Sequence, residues 1–119
     1  MPNKDKHIKQ YKCNLSLFNL KTFNINDTKY SDWFMTVAFY AAVHLIESEL
    51  AEIPFDSRTH EDRENAMLKL NTLKDVVSQY TALRNQSRLA RYKCKRFPKK
   101  DLADAFKHLK TIEKVVLSS

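Results

Sequence analysis

Between Asp75 and Asp101 the chain has no acidic residue, yet it carries Arg84, Arg88, Arg91, Lys93, Lys95, Arg96, Lys99 and Lys100. Arg84, Arg88, Arg91 and Lys95 recur at i, i+4, i+7 and i+11, which on a helix is a single row. Like charges at that spacing repel by roughly 0.2–0.5 kcal/mol per pair. Such a row implies either a polyanionic partner or acids on a neighbouring helix, for which Glu47, Glu49, Glu61 and Asp62 are candidates. Arginine favours the polyanion, because a guanidinium grips a phosphate through two hydrogen bonds. Tyr92 and Phe97 lie inside the basic segment, where an aromatic ring can stack on a base, while Tyr80, farther upstream, reads as core.

A second constellation lies on the longest apolar run. Tyr40, His44 and Glu47 align at i, i+4 and i+7, with Thr36 extending the line. His60 and Arg63 lie at i,i+3 in the stretch HEDR, and Arg84, Asn85, Ser87 and Arg88 come from the basic segment. If a bundle joins these faces, one cleft holds two histidines, several arginines and a tyrosine hydroxyl. His44, His60, Arg63 and Arg84 could then perform acid–base chemistry on a phosphodiester, an arginine stabilising the developing charge. The commoner outcome for such a set is a buried polar network that fixes helix register.

Metal chemistry has weaker support. His44 with Glu47, or His60 with Glu64, has a usable spacing, but a bundle di-metal centre needs Glu-x-x-His twice plus two further glutamates. Neither copy is present. Cys13 and Cys94 have no paired CxxC spacing and read as reduced thiols rather than zinc ligands. No metal and no cofactor is expected.

The elements that must position these residues all read as helices. Ile8, Tyr11, Leu15, Phe18 and Thr22 form one stripe, predicting a first helix from about Lys4 to Thr22. Ser31 or Asp32 caps a second helix, apolar on nearly every face as far as Ile46 and therefore central; Pro54 ends it. Thr59 with Asp62 opens a shorter third helix that Asn71 interrupts. From Thr72 to about Tyr92, Leu73, Val76, Tyr80, Leu83, Ser87 and Ala90 stack on one side. Beyond Pro98, Leu102, Ala105, Phe106, Leu109, Ile112 and Val116 define a final amphipathic helix. The expected architecture is all-α: one domain over residues 1–119, an up-and-down bundle of four to five helices.

Composition agrees. The 119 residues are 43% hydrophobic and 29% charged, a globular balance. The chain has no glycine, which excludes glycine-rich phosphate loops and dinucleotide fingerprints, whose backbones need positive φ. The net charge is +7, which favours polyanionic partners through long-range attraction and counterion release. Met1–Lys12 does not look like a signal peptide, and Trp33–Ile46 is shorter than the ~20 residues of a membrane span. A cytoplasmic protein with no membrane partner is the expectation.

The stretches DWFMTVAFYAAVHLIESEL, THEDR and YTALRNQSRLARY together resemble small prokaryotic proteins of the HEPN-like helical class, over roughly residues 30–93. Ala90-Arg91-Tyr92 and the His60–Arg63 pair are the most specific parts of the likeness. The resemblance implies a helical bundle that dimerises. It also implies either metal-independent ribonuclease activity, often in toxin–antitoxin or antiviral systems, or binding of nucleotides or RNA without catalysis. In active members an arginine, commonly followed by a polar residue, precedes a histidine by four to six intervening residues. Arg84-Asn85 matches the first half, but Leu89, Ala90 and Arg91 stand where that histidine would fall. The leading expectation is therefore a non-catalytic or weakly active RNA- or nucleotide-binding homodimer. Its site would be Arg84, Arg88, Arg91, Tyr92, Lys93, Lys95 and Arg96, beside the polar cluster Tyr40, Glu47, Asn85 and Ser87. The alternatives are a divergent ribonuclease and a subunit pairing with a nucleotidyltransferase or antitoxin.

Overall fold

The computed structural model describes residues 3–20, 29–51, 59–93 and 95–118, the His60 side chain excepted. Among these described residues five α-helices follow one another: α1 (Lys4–Ser16), α2 (Ser31–Leu50), α3 (His60–Leu68), α4 (Val77–Tyr92) and α5 (Lys99–Leu117). Single 3₁₀ turns at Leu17–Asn19 and Lys74–Val76 extend α1 and lead into α4. No strand occurs among the described residues. The all-α class follows from the sequence; Thr22 and Pro54 lie outside the described residues.

Helix α2 occupies the centre because it has no polar face wide enough to meet water. Phe34, Met35, Ala38, Phe39, Ala41, Ala42, Leu45 and Ile46 are all buried, and α1, α4 and α5 pack around it. Phe18 packs on Phe34, 4.7 Å between ring centroids, while His7 meets His44, so α1 and α2 run antiparallel. Phe97, just beyond α4, bonds to Ser31, and Thr72, ahead of it, bonds to Glu49, so α4 is antiparallel to α2 as well. The stripe Tyr80, Leu83, Ser87 and Ala90 faces this core, as do Leu102, Ala105, Leu109, Ile112 and Val116 of α5.

The helix starts show two kinds of cap. Asn3 Oδ1 accepts from the Lys6 amide at 2.9 Å, and Thr59 Oγ1 accepts from the Asp62 amide at 3.0 Å, each satisfying a first-turn donor. The expected Ser31 or Asp32 cap is not made. Tyr30 occupies the cap position, and Ser31, the first helical residue, accepts from the Phe97 amide at 3.0 Å instead. Its hydroxyl is fully buried, so the long-range amide in need of a partner outcompetes the local one. The third helix ends at Leu68, ahead of Asn71, and α4 begins at Val77 rather than Thr72.

Candidate nucleic-acid interface

Burial of Tyr80, Leu83, Ser87 and Ala90 fixes the rotation of α4 and brings Arg84, Arg88 and Arg91 out along its flank. With Tyr92 they line an open cleft of about 330 Å³. Arg84 is tied to Glu64 of α3 at 3.0 Å, an acid outside the set expected to neutralise the row. Arg88 is exposed and its side chain has no ion pair among the described residues. A second cleft, of about 240 Å³, lies between Asn85, Arg88, Leu89 and Lys93. Basic residues at the end of α4 also complement its helix dipole, which accounts for one or two of them but not for the whole series.

Arg91 has two hydrogen bonds and three ring contacts. Its Nε donates to the Ser87 carbonyl at 3.3 Å and its Nη1 to the Tyr40 hydroxyl at 2.9 Å. The guanidinium carbon lies 5.9, 5.6 and 5.3 Å from the ring centres of Phe39, Tyr40 and Tyr92, within the range of cation–π attraction. Tyr40 therefore serves the basic face rather than a cleft shared with His44. Tyr92 is 69% exposed, so one face of its ring is open to a ligand.

Two members of the expected set sit differently. Helix α4 ends at Tyr92, so Lys95 leaves the row; its ammonium lies over the Phe97 ring at 5.2 Å. Phe97 is buried and is a core residue, not a stacking surface. Arg96 donates to the Lys29 carbonyl and pins the α4–α5 connection to the approach to α2.

The polar face of α2 makes a separate, inward network. Glu47 is buried and accepts from Arg63 Nε at 2.7 Å, and Arg63 Nη1 donates to the Tyr80 hydroxyl at 3.1 Å. Burial works against the Arg63 charge, but its contacts with Tyr80 and Glu47 outweigh this and hold it protonated. One turn away, His44 Nδ1 meets His7 Nδ1 at 3.0 Å. The single cleft expected from spacing is thus divided: Arg63 with Glu47, Arg84 with Glu64, Tyr40 with Arg91, and His44 with a histidine the sequence reading passed over. A signal for His7 was present, since it stands four residues before the core tyrosine Tyr11 on the α1 stripe. Ser87 is buried in the helix interface and Asn85 is exposed on the basic flank, so neither joins this network.

One histidine of the pair must donate and the other accept. His7 Nε2 is buried without a hydrogen-bond partner, and an orphaned acceptor is tolerated better than an orphaned N–H. His7 therefore donates through Nδ1 and His44 accepts. A proton on His44 Nδ1 would set two N–H groups face to face, and one on His7 Nε2 would bury a charged N–H without a partner. Burial lowers both pKa values; for His44 the neighbouring His7 lowers it further, Glu47 opposes the shift in each ring, and Arg63 adds to it. The unfolded chain, with histidines near about 6.5, then binds protons that the folded pair refuses. Stability is complete above that pH and falls as pH drops toward the depressed folded values. Thermal melts should show this loss below about pH 6.5, and His7→Gln with His44→Gln should flatten it; an unchanged slope would place the acid sensitivity elsewhere.

Among the described residues no group of three or more His, Cys, Asp or Glu could hold a metal ion, and no helix is long and apolar enough to cross a membrane. No family model matches the chain, and no curated protein or solved structure matches it.

Proposed function

We propose that this domain is a cytoplasmic RNA- or nucleotide-binding module, HEPN-like in class, that holds phosphates on the flank of α4 without cleaving them. The observation that carries this reading is the cleft of Arg84, Arg88, Arg91 and Tyr92. Within it one arginine is oriented by a tyrosine hydroxyl and stacked on aromatic rings, while another has no acidic partner among the described residues. A positive row of this kind, with an open ring beside it, offers the two things a single strand needs: charge along the backbone and a surface for a base. Against catalysis stands the engagement of His44 with His7, together with the lack of a histidine after Arg84 at the spacing of active HEPN members. A homodimer, and service in a toxin–antitoxin or defence system, belong to the same proposal.

The test is equilibrium binding of fluorescein-labelled oligouridylate, followed by anisotropy, in EDTA across a salt series. Three phosphate contacts on a single strand give a slope of log K against log salt of about −2. Arg88→Ala should reduce that slope by somewhat under one unit, and the RNA should be recovered intact. Affinity independent of salt would overturn the reading. Cleavage in EDTA that His44→Ala or His60→Ala abolishes would replace it with the ribonuclease.

A further inference from the structure

Beside the phosphate cleft, and sharing Arg91 with it, lies a smaller one of about 190 Å³ between the start of α2 and the end of α4. It is lined by Asp32, Trp33, Thr36, Ala90 and Arg91. Two of these residues are hard to explain by folding alone. Trp33 is the chain's only tryptophan and is 60% exposed, on a helix whose other large apolar residues are mostly buried. Asp32 is the one carboxylate lining any of the three clefts described, on a face otherwise positive. A carboxylate there weakens phosphate binding, and an acid in the first turn of a helix gains only about 0.3–1 kcal/mol from the dipole.

We propose that this second cleft is a nucleobase subsite and that it selects guanine. The inference rests on the α4 flank holding the phosphates of a single strand and deepens that reading. The exposed indole of Trp33 supplies a flat surface on which an unstacked base can lie. An ionised carboxylate only accepts hydrogen bonds, through two oxygens side by side. Guanine matches it, since N1–H and the N2 amino group present two adjacent donors; cytosine and adenine offer one amino group on that edge, and uracil a single N–H. Arg91, fixed between the clefts by Tyr40 and Ser87, sets the base of one nucleotide next to a phosphate. The same charge pattern disfavours a second copy of the chain as occupant, because two faces of net positive charge repel.

Trp33, as the sole tryptophan, reports on its own site. The experiment titrates the full chain with short oligouridylates carrying one central guanosine, one central adenosine, or uridine throughout. Fluorescein anisotropy reads binding, and unlabelled strands read tryptophan emission. The guanosine strand should quench Trp33 and bind about tenfold more tightly than the all-uridine strand. Asp32→Asn should reduce that preference to about twofold or less, by weakening the guanosine strand while the all-uridine strand keeps its affinity or gains slightly from the lost negative charge. Trp33→Ala, at an exposed position, should weaken the guanosine strand about tenfold with unchanged circular dichroism. Strands that bind by anisotropy while Trp33 emission stays constant, or with no base preference, overturn the subsite and leave the phosphate reading standing. No binding by any strand overturns both. Emission that moves with protein concentration and not with RNA assigns the patch to a second copy and overturns the subsite.

Discussion

Glu47→Ala is expected to lower the unfolding free energy by about 3–5 kcal/mol, read from urea denaturation. The Glu47 side chain is only 4% exposed and that of Arg63 13%, with 2.7 Å between the charged atoms. Both charges have given up most of their water, and their mutual attraction, with the Tyr80 hydroxyl on the far side of the guanidinium, offsets that cost. Truncating the acid leaves the desolvation of the arginine in place and removes the group that compensated it. On a domain whose whole stability is of the order of 5–15 kcal/mol, the variant is close to unfolding. Glu47→Leu combined with Arg63→Met should recover most of the loss, since neither buried charge then remains. A single-variant cost below about 1 kcal/mol, the range of solvent-exposed pairs, would show that water reaches the bridge.

The ion pair also shows which parts of the molecule were legible in its sequence. Helix α2 could be recognised as central because hydrophobicity on every face is a property of one segment. The α4 and α5 stripes were legible for the same reason, since burial of Tyr80, Leu83, Leu102 and Leu109 follows helical period. Thr59 announced the start of α3 because a cap is a bond between neighbours. What eluded the sequence is what depends on a second helix. Ser31 has the chemistry of a cap but bonds to the Phe97 amide, and Arg84 meets Glu64 instead of Glu47, Glu49, Glu61 or Asp62. Tyr40 and His44 lie one turn apart, yet one turns to Arg91 and the other to His7. Periodicity identifies residues that share a stripe; it does not say which side chain from another helix meets each of them. The basic row was visible as a row, but its division into a paired arginine, a stacked one and an open one required the packing.

That division permits a sharper test of function than charge alone. Arg88→Glu with Lys93→Glu should weaken single-stranded RNA binding about a hundredfold or more at low salt. Lys107→Glu with Lys114→Glu should change it by less than about tenfold, through the long-range field only. All four positions are exposed, so neither double variant disturbs the core. Each reversal removes two units of positive charge, so both variants fall from the +7 of the native chain to +3. They carry the same net charge, and only its position differs. Arg88 lines the two larger of the three clefts and Lys93 the one of about 240 Å³, whereas Lys107 and Lys114 belong to α5 and line none of the three. If the protein attracted polyanions merely by being basic, the two variants would lose affinity together. A loss confined to the α4 pair ties binding to the face where Arg91 is already held in place by Tyr40, while an equal loss in both shows that overall basicity, and not this face, attracts the RNA.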